Sequence, residues 1–249
     1  MITAAGVMTL ALWGCAPQQN ARNLPSDSPA SLNVELAKAY IGEGDYSQAL
    51  VKLDRALAQV PDYAQAHGTM AVLRWKLGEL DKAERSFREA VRLAPDDSLV
   101  RNNFGAFLCE RERFDEAEQQ FVEALKNPLY GAPEHAYTNA GLCALRQPDL
   151  EKAERYFRAA LQQEPKFAPA LLQMARISLE QGRYLQARAY LQRYNAVAPL
   201  NPTSLWLAVR AVRHLGDRGA AARYALRLKS MFPDSEETRL LLKMEADER

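Results

Sequence analysis

The chain has 249 residues, and its 32 lysines and arginines nearly balance its 31 aspartates and glutamates. Proteins that bind nucleic acid usually carry a basic excess or stripe, so this balance argues against that class. The sequence has no glycine-rich phosphate-binding loop, and its 48% hydrophobic content is ordinary for a globular protein.

The first 14 residues carry no charge and are mostly apolar, but they are too few to span a bilayer as a helix. They therefore favour a secretory signal peptide over residues 1–14. The run Leu12-Trp13-Gly14-Cys15 resembles a bacterial lipobox, in which the peptide is cut before the cysteine and the thiol is acylated. We expect Cys15 to become the lipidated N-terminus. The alternative is a chance match in an apolar leader that lacks the usual lysine or arginine.

The stretch 15–29, after the predicted cleavage site, is polar and contains prolines, which predicts a flexible tether. Ala16 follows the cysteine. In lipoproteins generally, aspartate at that place favours inner-membrane retention, so alanine indicates the outer membrane. We therefore expect the protein at the periplasmic face of the outer membrane, anchored by its lipid.

From about Ala30 onward, small and aromatic residues recur with a period of 34 residues, most completely in 64–97. The landmarks of that unit, at positions 8, 15, 17, 20, 24, 27 and 32, are Ala71, Gly78, Leu80, Ala83, Phe87, Ala90 and Pro95. This spacing resembles the tetratricopeptide repeat. Small residues let two helices approach closely, an aromatic ring fills the space beside them, and a proline stops the second helix.

Six such units follow one another, the last of them degenerate: 30–63, 64–97, 98–133, 134–167, 168–201 and 202–233. A single helix pair cannot bury its apolar face, so stacked pairs must share a core. The sequence therefore predicts an all-α, right-handed solenoid of six tetratricopeptide repeats, followed by a capping helix and tail at 234–249. In that tail Asp234 and Glu237 are predicted to cap the helix, with Leu240 and Leu241 covering the last repeat.

Two cysteines remain besides Cys15, and both lie on first helices of neighbouring repeats. Cys109 occupies position 12 of the third repeat and Cys143 position 10 of the fourth. In an oxidising periplasm they can pair; otherwise they act as two small buried hydrophobic residues. Because their repeat positions differ, a helical wheel does not decide between these alternatives.

Residues suited to catalysis or metal binding are scattered. The histidines His67, His135 and His214 fall in the second, fourth and sixth repeats, and no cluster has metal-ligand spacing. No serine lies in a G-x-S-x-G turn, and most carboxylates neighbour lysine or arginine on helix surfaces. We therefore predict a protein that is not an enzyme and that uses no cofactor or metal.

The first helices of the repeats are predicted to line a concave groove that binds an extended peptide. Position 6 carries amides that can bond a peptide backbone, and position 9 turns basic towards the C-terminus. The candidate groove residues are Asn103, Asn139, Gln173, Trp75, Leu142, Arg176 and Arg210. The alternative is structural: the asparagines cap local backbone. Trp206 is either an anchor of the groove or a packing residue against the cap.

Several stretches resemble one family, the type IV pilus biogenesis and stability lipoproteins of the PilF/PilW group. They are 102–125, 127–130, 139–145, 187–194, 204–217 and 221–237. The resemblance implies a pilotin, a protein that helps subunits of the pilus secretin reach the outer membrane and assemble there into a pore. It brings no catalytic motif, and it favours the Cys109–Cys143 disulfide because both cysteines lie in the resembling stretches.

The expected partners are therefore a secretin subunit and, through the N-terminal lipid, the outer membrane. We expect a monomer that does not bind nucleic acid. Two alternatives stay open: a general outer-membrane scaffold lipoprotein that serves β-barrel assembly, and a regulator of a cell-wall synthase.

Overall fold

The computed structural model describes residues 24–247. The predicted signal peptide, the predicted lipidation site Cys15 and the first part of the predicted tether lie outside these residues. The described part of the chain contains thirteen α-helices and no strand, so the predicted all-α class is confirmed. None of its helices is long and apolar enough to cross a membrane.

The chain divides into two compact units, with the boundary at Pro95. The first contains α1 (Pro29–Glu43), α2 (Tyr46–Gln59), α3 (Ala64–Lys76) and α4 (Leu80–Leu93). The helices of the second are α5 (Ser98–Glu110), α6 (Phe114–Leu125), α7 (Pro133–Arg146), α8 (Leu150–Gln163), α9 (Ala168–Glu180), α10 (Tyr184–Asn195), α11 (Pro202–His214), α12 (Arg218–Met231) and α13 (Glu236–Asp247).

Consecutive odd- and even-numbered helices from α1 to α12 pack as hairpins, each closed by a short turn. Position 15 of each predicted repeat falls in this turn, where the backbone adopts positive φ. Glu112 has φ 60° at that place in the third hairpin. Pro148 holds it in the fourth hairpin, with φ 31°. In the other four hairpins the position is a glycine, which has no Cβ and adopts this conformation without strain: Gly44, Gly78, Gly182 and Gly216, with φ between 71° and 80°.

The helices of a hairpin meet at a close contact between position 8 and position 24. A Cβ added to Gly105 would lie 2.7 Å from the Phe121 ring, and one added to Gly141 would lie 2.8 Å from the Phe157 ring. Both rings are almost completely buried. The absence of a side chain on the first helix therefore makes room for the phenylalanine on the second.

The first helix begins inside the predicted tether. The Ser28 hydroxyl accepts a hydrogen bond from the Ser31 amide at 3.2 Å, and Pro29 opens the helix. Leu24 packs against the core cluster around Val34 and Leu53. The last residues of the stretch predicted as a tether thus belong to the folded part of the chain.

The predicted capping helix is present as α13, but the cap at its start differs from the prediction. The Ser235 hydroxyl, and not Asp234, accepts from the Thr238 amide at 3.2 Å. Glu237 instead accepts from the Thr203 hydroxyl at 2.7 Å, which joins α13 to α11. Leu241 is fully buried against the α11–α12 hairpin, whereas Leu240 is 43% exposed. Leu241 thus covers the last repeat as predicted, and Leu240 lies beside α11 at the edge of the contact.

A disulfide links the first helices of two neighbouring hairpins in the second unit. Cys109 on α5 and Cys143 on α7 are joined through their sulfur atoms, with their Cα atoms 5.8 Å apart. The bond closes a loop with a sequence separation of 34 residues, which spans the whole of α6. Of the two alternatives that the helical wheel left open, the structure therefore contains the disulfide.

We expect Gly141→Ala to lower the free energy of unfolding by about 1–3 kcal/mol, because the added methyl group overlaps the buried Phe157 ring. Gly42→Ala is the matched control, since a Cβ there meets no atom within 4 Å and alanine favours the helix. Urea unfolding of both variants checks the prediction. Equal stability of the two variants would contradict the close contact.

We expect reduction of the Cys109–Cys143 bond to cost about 3–4 kcal/mol, because opening a loop of this length restores chain entropy to the unfolded state. Thermal unfolding with and without a reducing agent measures the effect. The double variant Cys109→Ala with Cys143→Ala should not respond to the reducing agent. A wild-type protein that is equally insensitive would show that the bond contributes nothing.

Candidate functional site

The predicted row of amides lies on the first helices of the second unit. Asn103 is on α5, Asn139 on α7 and Gln173 on α9, and all three side chains are half-buried. Neighbouring first helices contact each other directly, α5 with α7 and α9 with α11. The close packing of Gly105 and Gly141 against their phenylalanines fixes the distance of these helices from their partners.

Asn139 is partly committed to the fold. Its Nδ2 donates a hydrogen bond to the Oδ1 of Asn102 on α5 at 3.0 Å, and Asn102 is only 4% exposed. Because a buried amide oxygen needs a donor, this bond ties α7 to α5. Sequence reasoning missed Asn102, since its repeat position 5 was considered only as groove lining and not as a buried partner.

In the described part of the chain, Gln173 is the residue of the row whose side-chain oxygen lacks a hydrogen bond although it is buried. Its Oε1 is buried and has no hydrogen-bond partner among residues 24–247. Thr138, beside Asn139 on α7, has a buried hydroxyl in the same condition. An unsatisfied buried polar atom costs about 1–3 kcal/mol, so these two groups are among the least satisfied polar side chains of α7 and α9 near the row. Position 5, occupied by Thr138, belonged to the groove positions, but nothing in the sequence indicated that its hydroxyl lacks a partner.

The remaining groove candidates of the second unit differ in exposure. Leu142 on α7 is 40% exposed and Arg176 on α9 is exposed, so both are accessible to a partner. Arg210 on α11 is half-buried, with its guanidinium carbon 5.9 Å from the centre of the Trp206 ring. The structure therefore places Arg210 against an aromatic face and not beside the amides.

Trp75 belongs to the first unit and packs within its own hairpin. Its ring meets the fully buried Phe87 edge-on, with ring centres 6.5 Å apart and planes at 69°. This contact fixes the tryptophan against the α3–α4 pair. Its proposed role as an anchor remains a prediction.

The second helices of the hairpins carry ion pairs to neighbouring repeats. Burial opposes ionisation of Glu118, but hydrogen bonds from Lys152 at 2.5 Å and Tyr156 at 2.8 Å hold its pKa below the usual range. Glu154 is also partly buried, and its bonds to Arg183 at 2.7 Å and Arg158 at 2.6 Å lower its pKa in the same way. These carboxylates stay ionised at neutral pH and join neighbouring hairpins.

The arrangement is suited to binding a polypeptide. Half-buried amides, an exposed leucine and an exposed arginine lie on successive helices of a repeat array, which is how such arrays present extended binding surfaces. Across residues 24–247, no three histidine, cysteine, aspartate or glutamate side chains are grouped so that they can hold a metal ion.

Comparison with known proteins identifies the repeats and a family. A tetratricopeptide-repeat model matches residues 40–102 and 144–212, and a second one matches 108–168. The type IV pilus assembly protein PilF of Pseudomonas aeruginosa is 31% identical over 242 residues, which are 95% of this chain and 96% of that protein.

Two solved structures have similar folds. The crystal structure of PilW, described as a widely conserved type IV pilus biogenesis factor, is 33% identical with a TM-score of 0.77, covering 87% of this chain and 99% of its own. The structure of Pseudomonas aeruginosa PilF is 30% identical with a TM-score of 0.80, covering 88% of this chain and 98% of its own. The similarity thus extends over nearly the full length of each relative.

We expect Asn139→Ala to lower the free energy of unfolding by about 1–3 kcal/mol, because it leaves the buried Asn102 oxygen without its donor. Asn103→Ala is the matched control. It removes the neighbouring amide, which has no hydrogen bond among the residues that the structure describes, and should change stability by less than about 0.5 kcal/mol. Chemical unfolding of the two variants provides the measurement, and an Asn139→Ala protein as stable as the wild type would refute the structural role.

Proposed function

Because the chain belongs to the family of type IV pilus biogenesis proteins that includes PilF and PilW, we propose that it is the pilotin of a pilus secretin. In this proposal a non-enzymatic outer-membrane lipoprotein binds secretin subunits and promotes their outer-membrane localisation and multimerisation. The observation that carries it is the extent of the similarity, which spans almost the whole chain and not only the landmarks common to all tetratricopeptide repeats.

The lipid at Cys15 supplies the membrane address. One acyl chain alone anchors a protein only marginally, so the several chains of a mature lipoprotein make the attachment firm. The chain enters the fold at Leu24, which packs on the first core cluster. The eight residues between Cys15 and Leu24 let these two residues separate by at most about 30 Å when the chain is fully extended, so the repeats stay close to the membrane surface.

The amide row supplies the binding surface for the secretin. Asn103 and the free oxygen of Asn139 offer neutral hydrogen-bonding groups to a bound segment, and the 40% exposed Leu142 adds an apolar contact. Neutral amides bond to any peptide backbone, so they hold a segment without requiring a particular charge. Such a surface can keep an assembly-prone segment covered until the subunits join one another in the membrane.

Secretin assembly in a strain that lacks the protein tests the proposal. In a deletion strain, we expect secretin multimers to disappear and monomers to collect in the inner membrane, while porin levels stay normal. Immunoblots of separated inner and outer membranes, run with and without dissociation of multimers, measure this. Complementation with the wild-type gene should restore the multimers.

Other outcomes point to other functions. Normal secretin multimers in the outer membrane would overturn the pilotin proposal. A loss of porins together with the secretin would favour a scaffold for β-barrel assembly, and altered peptidoglycan cross-linking with a normal secretin would favour regulation of a cell-wall synthase.

The same strain tests the anchor. Cys15→Ala should release the protein from membranes and fail to restore outer-membrane multimers, whereas Ala16→Gly, which keeps the thiol, should behave as the wild type. Firm membrane association of the Cys15→Ala protein would contradict the lipid anchor but leave the secretin assignment standing.

A further inference from the structure

The positive charge of the chain is concentrated in its C-terminal repeats. Between residues 182 and 233 there are nine basic side chains and one acidic side chain, Asp217, although the whole chain has a formal charge of only +1. The basic residues are Arg183, Arg188, Arg193, Arg210, Arg213, Arg218, Arg223, Arg227 and Lys229. The near-neutral total therefore hides a strongly basic region.

Some of these cations are used by the fold. Arg183 forms an ion pair with Glu154 at 2.7 Å, and Lys229 pairs with Glu245 on α13 at 3.0 Å. Arg193 donates to the carbonyl of Pro165 at 2.8 Å. These contacts stabilise neighbouring helices, and they engage Glu245, so this carboxylate is not available to neutralise other cations nearby.

Other basic side chains line a cleft between α11 and α13. It has a volume of about 570 Å³ and is lined by Arg210 and Arg213 from α11 and by Lys243 from α13; among residues 24–247, Asp247 is its one acidic lining residue. Neither Arg210 nor Lys243 has an ion pair with any carboxylate among residues 24–247. The cleft therefore presents a positive field without internal compensation at these two side chains.

The wall of the cleft is apolar and aromatic. Trp206 and Met244 are half-buried, and the Arg210 guanidinium carbon lies 5.9 Å from the Trp206 ring centre, which orients the cation. Leu240 is 43% exposed although the adjacent Leu241 is fully buried in the core. Leu241 and Met244 pack on the core of the last hairpin, whereas Leu240 leaves a large part of its apolar side chain accessible at the cleft.

We propose that this cleft binds a short acidic segment of a partner protein, in which carboxylates alternate with apolar side chains. Carboxylates of the segment would pair with Arg210 and Lys243, because guanidinium groups bind carboxylates in a bidentate manner. An apolar side chain between them would cover Leu240 and the part of the Trp206 ring that stays accessible beside Arg210.

The shape of the cleft favours a peptide over a simple anion. A cavity of this size holds several side chains, whereas a single phosphate or sulfate would leave the apolar wall uncovered. The inference stands on the cleft alone and goes beyond the secretin proposal, since the amide row of α5, α7 and α9 contributes no lining residue.

The test uses the full-length protein in detergent and a fluorescein-labelled peptide of alternating glutamate and leucine. We expect saturable binding by fluorescence anisotropy, weakening as salt is raised because the contacts are ionic. A peptide of alternating lysine and leucine should bind at least about tenfold more weakly, since like charges repel. Failure of the acidic peptide to bind would overturn the proposal.

Matched variants locate the binding. Arg210→Gln with Lys243→Gln should weaken the affinity about tenfold or more. The pair Arg223→Gln with Arg227→Gln removes the same charge from α12, outside this cleft, and should change the affinity by less than about threefold. Equal losses in the two pairs would show attraction to the basic region as a whole and overturn the assignment to the cleft.

Leu240→Ser tests the apolar contact without disturbing the core. It should weaken peptide binding, whereas Leu226→Ser, at a 67% exposed leucine of α12, should not. Sedimentation with vesicles that contain phosphatidylglycerol tests a lipid surface instead. Vesicle binding that depends on Arg210 and Lys243, together with unchanged peptide binding by Leu240→Ser, would assign the cleft to lipid and contradict the peptide proposal.

Discussion

The contact between a residue without a side chain on one helix and a phenylalanine ring on the next is the constraint on which the second unit depends. Gly105 meets Phe121 and Gly141 meets Phe157 at distances that leave no room for a methyl group. Because protein interiors are close-packed, these contacts set how near the helices of each hairpin can come. The spacing in turn decides that Asn139 reaches Asn102 and that Cys109 reaches Cys143, both between α5 and α7.

The sequence predicted the close contact between the helices of a hairpin, but it did not predict the contacts between neighbouring hairpins. The recurrence of small residues at position 8 and aromatics at position 24 indicated hairpins of close helices, since the pattern repeats every 34 residues. The Asn102–Asn139 bond joins side chains at positions 5 and 6 of different repeats, and periodicity within one repeat carries no information about how two repeats are offset. For the same reason, the sequence did not decide whether Cys109 and Cys143 form a disulfide.

The C-terminal end was harder to predict because the repeat pattern stops there. Local capping rules allowed Asp234 as the cap of α13, but Ser235 holds that role, and Glu237 is drawn to Thr203. Both differences follow from packing, since α13 is oriented by Leu241 in the core of the last hairpin. The cleft beside Leu240 exists only because of that orientation, and so no pattern in the sequence could have indicated it.

Two surfaces of different chemistry thus lie in the same compact unit. The amide row is neutral, so contacts made there would depend little on ionic strength; the cleft of α11 and α13 is cationic, so contacts made there would weaken as salt screens them. Neutral amides accept many backbones, whereas cations beside an apolar wall discriminate against segments without acidic residues. A protein that used both surfaces would gain a faster encounter from the charge of the cleft and a tolerance for many sequences from the amides.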